Sequence, residues 1–325
     1  MSGVVSIAVS DDEADLRLDR WFRRHYPQVS HIRLQKLLRS GQVRVDGKRV
    51  KANARISPDQ MIRVPPLGDA PERKAPPSAS TDTLLQDRIL HIDDHVIVLD
   101  KPPGLAVQGG TGITRSVDGM LDTLRFDHPD RPRLVHRLDK DTSGILLLAR
   151  SPGVAAKLAK SFRSRDTRKI YWAVVVGVPD LKAGRINMAL AKLPGKKGER
   201  MVPDEAVGKK ASTLFRVIER ASRQAAWVHL EPLTGRTHQL RVHMAETGTP
   251  IHGDGKYGAA QAFIAGQGLS RKLHLHARAL RIPHPGKSGS LEVFAPLPDH
   301  MRATWQFLGF EENADDDPFS ENMDQ

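Results

Sequence analysis

The residues best equipped for chemistry sit in four positions, His136-Arg137-Leu138-Asp139, near the start of the stretch Leu134 to Arg150. They lead straight into an apolar run, Ile145 to Ala149, whose composition predicts a buried strand. A charged cluster at the mouth of a core strand is costly unless it faces a cleft or finds partners. Asp139 is therefore the first candidate for a working carboxylate. Asp141 stands two residues on, and a hydrolytic glycosidase uses two carboxylates, but nothing else in the chain reads as an activator of water.

Three other stretches carry reactive side chains. In Arg168-Lys169-Ile170-Tyr171-Trp172 a tyrosine follows two cations at the start of a strand; by itself that is a half-buried ring with its hydroxyl at the surface. In Leu233-Thr-Gly235-Arg236-Thr-His238-Gln-Leu-Arg241-Val-His243 the glycine permits a tight strand-to-helix turn, with Arg236 placed to reach back across the sheet. His274 and His276 alternate on one strand. With His238 and His243 they raise the thought of zinc, but no carboxylate set accompanies them and no metal is expected. The glycines of Lys101 to Gly112 lack both the Gly-Lys-Ser/Thr ending of a phosphate loop and the order of a dinucleotide site, so no cofactor is expected.

The elements that must position these groups are short strands. Ile89 to Leu99 reads as a hairpin around Asp93-Asp94, and Ile145 to Ala149, Tyr171 to Val176, Leu214 to Ile218 and Ala226 to Leu230 as further strands. Helices fit Gly153 to Phe162 and Arg236 to Glu246. This order lacks the regular alternation of a doubly wound fold and predicts an α+β domain with a mixed, mostly antiparallel sheet. It spans residues 85–310.

Residues 1–64 form a separate small module. Leu16, Leu18, Trp21 and Phe22 have helical spacing, and a second helix runs from Ser30 as cap to Gly41. Val43 to Val50 alternates around Asp46-Gly47 as a hairpin, with Ile62 to Val64 as a closing strand. From His31 to Arg55 the basic residues Arg33, Lys36, Arg39, Arg44, Lys48, Arg49, Lys51 and Arg55 stand against a single acid, Asp46. Such one-sign clustering is the footprint of a phosphate-binding surface. Residues 65–84, rich in Pro, Ala and Ser, read as a linker. Residues 311–325, acidic and polar, read as a disordered tail.

Over 325 residues the formal charge is +12 and 39% of side chains are hydrophobic, which supports a real core and a polyanionic partner. The chain has no cysteine, so disulfides, thiolate metal sites and a cysteine nucleophile are excluded. Neither a membrane-spanning run nor a secretory leader is visible, and a cytoplasmic monomer is expected.

The run from Leu134 to Arg150 resembles, position for position, the catalytic motif of the RluA family of pseudouridine synthases. The Arg168-Lys-Ile-Tyr171 stretch, the Gly235-Arg236 helix start and Leu275-His-Ala-Arg-Ala-Leu280 are similar to further family motifs in the expected order. The Gly-Gly-x-Gly form of residues 109–112 leans toward the RluC-like branch, with Gln108 where that branch usually carries histidine. The small module, with its Ser30-x-x-x-Leu-Gln-Lys-Leu-Leu-Arg-Ser-Gly41 run, resembles an S4-type RNA-binding domain.

The resemblance implies a mixed sheet with a central cleft and isomerisation of uridine to pseudouridine in large-subunit ribosomal RNA, without cofactor. It makes Asp139 the catalytic carboxylate and Arg236 its ion-pair partner, an arrangement that keeps a carboxylate charged in a closing cleft. Tyr171 would stack on the target uracil and take the C5 proton, Arg137 would fill the space left by the flipped base, and Leu280 would line the base pocket. His136 and the turn Gly253 to Gly258 are read as structural. The basic stretch Lys192 to Arg200 is expected to be a loop closing on the RNA backbone through Lys196, Lys197 and Arg200. Alternatives of another kind are an inactive RNA-binding assembly factor, or an RluD-like enzyme with a different ribosomal target.

Overall fold

The computed structural model describes residues 3–29, 31–67, 83–110, 112–164, 166–193, 200–266, 268–315 and 318–319, which fall in two compact units, Met1–Thr81 and Asp82–Gln325. In the small unit β1 (Val5–Ala8), α1 (Leu18–His25), α2 (His31–Arg39), β2 (Arg44–Val45) and β3 (Met61–Val64) follow in order, with the sheet arranged β1-β3-β2. Leu18, Trp21 and Phe22 share the buried face of α1, and Leu34 and Leu38 that of α2; this is the helical periodicity read from the sequence.

Asp46 and Gly47 both have positive φ, 49° and 73°, and Val45 and Lys48 exchange backbone bonds of 3.1 and 2.9 Å across them, as a two-residue turn requires. The expected hairpin goes no further than this turn. The ladder partner of β2 is β3, and the Asp46 carboxylate accepts the Met61 backbone N–H at 2.8 Å and the Gln60 amide at 3.0 Å. β1 was not foreseen.

The large unit contains β4 (Ile89–Ile92), β5 (Val96–Lys101), α3 (Val117–Met120), β6 (Arg133–Leu134), β7 (Ser143–Ala149), α4 (Pro152–Ser161), β8 (Arg168–Val176), β9 (Ala183–Leu193), β10 (Arg200–Pro203), β11 (Lys209–Ala221), β12 (Ala225–Pro232), α5 (Gln239–Glu246), β13 (Leu275–Pro283), β14 (Ser290–Phe294) and α6 (Asp299–Leu308). Its 11-stranded sheet runs β10-β9-β11-β12-β8-β13-β7-β5-β4, with β14 on β13 and β6 on β7. The expected α+β class forms. Among the described residues every strand pair is antiparallel except β7 with β13, which are parallel over His276–Ser143 and Ala277–Gly144 alone. Gly144 makes that approach possible: its φ is +100°, and a Cβ there would lie 2.3 Å from the Ala277 carbonyl oxygen.

β7 is buried along its whole length and packs with β5, α4 and β14, whereas β8 and β12 build a second core around Trp172, Trp227 and Trp305. Ser151 caps α4 by accepting the Val154 N–H, with Pro152 at the first helical position.

Two expectations about segments outside the folded domains are corrected. Residues 68–82 of the expected linker lie outside the described residues, but its last part, from Thr83, turns into a 3-10 helix with Leu85 fully buried. The expected disordered tail is in part packed. Glu312–Asp315 forms a 3-10 turn, Asp315 is buried, and its carboxylate accepts Trp172 Nε1–H at 3.0 Å and Arg216 Nη2–H at 2.8 Å and pairs with His229 Nδ1 at 2.9 Å. Phe319 is buried as well, under Arg168 and Arg281. Acidic composition reads as tail only while its partners are unknown, and here three donors on β8, β11 and β12 converge on one carboxylate. No described helix is long and apolar enough to cross a membrane.

Candidate active site

The aspartate loop between β6 and β7 is fastened from below. His136 Nε2 accepts the Leu147 N–H at 2.8 Å, and its ring stacks on Phe162 at 4.5 Å. Burial, with a smaller contribution from Lys169, pushes His136 down to about 3, so the ring is neutral and free to accept that bond. Lys101 is fully buried at the end of β5 and donates to the carbonyls of Pro102, Leu105 and Lys140, each at 2.9 Å. Burial lowers this lysine to about 8 against the attraction of Asp141, Asp139 and Asp100. The Lys140 carbonyl also accepts the Gly104 N–H at 2.9 Å, so the residue after Asp139 is held by two donors.

Asp139 is 18% exposed and lines a cleft of about 1550 Å³. Across from it stand Arg241 Nη1 at 3.6 Å and His238 Nε2 at 3.7 Å. Arg241 is the first-turn arginine of α5, gripped bidentately by Asp254 (Nε–Oδ2 2.8 Å, Nη2–Oδ1 2.7 Å). Burial opposes its charge, but Asp254, with Asp139 and Tyr257, outweighs burial and raises its pKa further. The Tyr257 ring lies 5.1 Å from the Arg241 guanidinium carbon and 5.4 Å from that of Arg200.

Arg236 is therefore not the partner of Asp139. It is exposed, and its Nε donates to the Lys210 carbonyl at 3.1 Å. The helix begins later than its pattern implies: residues 235–238 form a loop, His238 has φ +52°, and α5 starts at Gln239. That delay turns Arg236 to the rim and Arg241 to the floor.

Tyr171 lies on β8 between β12 and β13 and lines the same cleft. Burial first, then the charge of Asp139, raise its pKa, so the phenol keeps its proton. Arg137 is exposed at the cleft wall. Leu280 does not line the cleft; it is buried in the core with Leu138, Ile282 and Val293. Leu275, at the other end of the same motif and on the opposite side of the bulge at Ala277/Ala279 in the β13–β8 pairing, is the lining leucine.

Lys196 and Lys197 lie outside the described residues. Of the expected loop, Lys192 and Leu193 belong to β9 and Arg200 to β10, which pair from Leu193–Arg200 onward. Arg200, exposed on β10, sits over Tyr257.

In the small unit Lys36, Arg39, Lys48 and Arg49 are exposed. Arg44 is half-buried and spends its guanidinium on the Gly41 and Gly47 carbonyls at 3.1 and 3.0 Å, and Arg33 donates to the Leu67 carbonyl.

Among the described residues no three His, Asp or Glu side chains converge as a metal site requires. His274 and His276 are buried and bonded to Thr304 and Ser143. Sequence reasoning missed Arg241, Asp254, Tyr257 and His238. All four stood in stretches the sequence singled out, but Arg241 comes to face Asp139 because α5 starts only after the left-handed His238, which no residue pattern announces.

The family profile described as RNA pseudouridylate synthase matches residues 95–246, from β5 through the aspartate loop to the end of α5. The ribosomal large subunit pseudouridine synthase C of Vibrio vulnificus (strain CMCP6) is 37% identical over 311 residues, covering 93% of this chain and 96% of its own. The protein of the same name from Escherichia coli (strain K12) is 36% identical over 310 residues, with the same coverage. Among solved structures, human RNA pseudouridylate synthase domain containing 4 matches with a TM-score of 0.60 and 29% identity, over 70% of this chain and 95% of that one. The corresponding figures for human domain containing 1 are 0.51 and 25%, over 68% and 94%. Identity at that level over nearly the full length of both chains decides the matter: this chain belongs to the RNA pseudouridylate synthase family and is an RNA pseudouridine synthase.

Proposed function

We propose that the chain isomerises uridine to pseudouridine in large-subunit ribosomal RNA in the cytoplasm, without a cofactor, with Asp139 as the catalytic carboxylate. The observation that carries the assignment of Asp139 is its place at the cleft, 3.6 Å from Arg241 Nη1 and together with Tyr171. The reaction breaks the bond from C1′ to N1, turns the uracil, forms a bond from C1′ to C5, and moves the C5 proton off the ring as N1 takes one up. One carboxylate serves any of three routes: attack at C1′, attack on the ring, or removal of a ribose proton. In each, Arg241 supports the charge on Asp139, and Asp254 keeps Arg241 in place.

Tyr171 forms the wall on which the base stacks. Its protonated hydroxyl cannot accept the C5 proton directly while it stays neutral, so proton removal there has to be coupled to loss of the phenolic proton. The target base must first leave its stack, at a cost of a few kcal/mol, and Arg137 at the cleft wall is placed to occupy the gap. Arg236, with Lys210 and Arg185 on the same cleft, offers positive charge to the flanking backbone, and Arg200 does so at the hairpin. The small unit acts as an S4-type RNA-binding domain through Lys36, Arg39, Lys48 and Arg49, with Arg33 and Arg44 shaping that surface. The relatives named above for the large ribosomal subunit support the substrate class.

The test is carbodiimide-stop mapping of unmodified large-subunit rRNA transcript incubated with wild type and with Asp139→Asn. New stops that appear with wild type and vanish in the variant are expected. Equal stops with both proteins would remove Asp139 from the chemistry. No stops with either, on transcript and on ribosomal precursor particles, would remove the substrate.

A further inference from the structure

Tyr257 lies outside the reaction described above, yet its hydroxyl stands at a junction. The oxygen accepts the Met201 backbone N–H from β10 at 3.2 Å and is 2.7 Å from His238 Nδ1. A phenol has one proton to give. The oxygen could also accept from Nδ1–H, so the tautomer sets the direction: with the imidazole hydrogen on Nε2, His238 Nδ1 accepts the phenol's proton. Nε2 faces the Asp139 carboxylate at 3.7 Å. The opposite tautomer would set a lone pair against the carboxylate.

Resting on the assignment of Asp139 made above, we propose that Tyr257 and His238 form a positioning relay, in which the Tyr257 hydroxyl fixes the ring and tautomer of His238 so that its Nε2–H holds the Asp139 carboxylate in the attacking orientation. The relay starts on a backbone amide of β10, so the seating of β10 is felt at Asp139. His238 is suited to the task by its backbone. Its φ of +52° lifts the ring out of the helix that follows, and the ring meets Tyr257 edge-on, with centroids 5.5 Å apart and planes at 75°.

The charged groups facing the ring are Asp139 from the aspartate loop, Arg241 from α5, and Asp254 and Lys256 from the turn that carries Tyr257. Burial lowers the imidazole pKa and so favours the neutral ring, in which the choice of tautomer matters. The raised pKa of Tyr257, also caused chiefly by burial, keeps its hydroxyl a donor.

Tyr257→Phe keeps the ring under Arg241 and removes the hydroxyl. In single-turnover reactions on large-subunit rRNA transcript at pH 8, the rate is expected to fall about tenfold, the order that displacement of a reacting group by a fraction of an ångström produces, with RNA affinity unchanged. The gap to wild type should narrow as pH is lowered through the titration of His238, because an imidazolium carries hydrogen on both nitrogens and needs no selection of tautomer. In a His238→Gln background, whose amide N–H stands in for Nε2–H, adding Tyr257→Phe should cost little.

A gap that is constant with pH, a parallel loss of RNA binding, or an undiminished effect in the His238→Gln background would each overturn the relay. If Tyr257→Phe fails to fold, His238→Gln beside His238→Ala decides: the amide should retain most of the rate and the methyl lose it, and equal losses refute the proposal. Asp139→Asn in the same series separates the two ideas. An active Asp139→Asn defeats the catalytic assignment, whereas a dead one beside a fully active Tyr257→Phe defeats the relay alone.

Discussion

At the scale of single residues, the site turns on which of two arginines five positions apart faces Asp139. Arg241 shares a buried bidentate pair with Asp254, which is 1% exposed, and removing one member of such a pair leaves the other charge stranded. Arg241→Gln is expected to abolish pseudouridine formation and to cost about 3–5 kcal/mol of stability, read as a fall in the urea midpoint. Arg236→Gln should leave the midpoint where it is and lower the rate mainly at subsaturating RNA, since its guanidinium is at the rim. The reverse pattern would return Arg236 to the role its motif suggested. Tyr171, by itself a half-buried strand ring, was picked out only by the family resemblance. The place of Asp139 at the cleft was legible in the sequence because a charged cluster leading into an apolar strand has few places to go. Arg241 was not, because the start of α5 depends on a left-handed residue at 238, and nothing in a histidine announces that conformation.

At the scale of elements, the C-terminal turn shows the same limit. Asp315 is held below the ordinary carboxylate range: burial works against its charge, but His229, Trp172 and Arg216 outweigh it. With a folded pKa below the unfolded value of 3.8, its contribution is complete above that value and is lost as pH falls toward the folded one. Asp315→Asn is expected to lower stability by about 1.5–3 kcal/mol near neutrality, the range for hydrogen bonds to a charged group, and to flatten the acid limb of the urea midpoint plotted against pH. An unchanged midpoint would mean that the turn adds nothing to the fold. The core strands β5, β7, β8 and β12 were readable from their apolar runs. β9 and β10 were not, because half-exposed strands of mixed composition lack an apolar run, and the ladder of β9 with β11 is visible only in three dimensions.

At the scale of the whole molecule, the small unit is expected to supply affinity and the large unit chemistry. Neutralising Lys36, Arg39, Lys48 and Arg49 together to glutamine should weaken RNA binding and flatten its salt dependence by about 0.7 for each phosphate that no longer meets a cation, while the rate at saturating RNA stays the same. A slope equal to that of wild type would deny the small unit its part in binding. Within the large unit, the parallel join of β7 to β13 has a further consequence. Asp139 hangs from the flank that contains β5, β6 and β7, while Tyr171, His238 and Arg241 belong to the flank built on β8, β11 and β12, and a two-residue backbone seam closed at Gly144 lies between them. The site is thus completed across the sheet, with its carboxylate on one flank and Arg241 and His238 on the other, and beneath the seam the flanks share one core in which Leu138 packs with Leu280. A side chain at position 144 would press on the Ala277 backbone and spread the two flanks, so Gly144→Ala is expected to lower the reaction rate and the urea midpoint together.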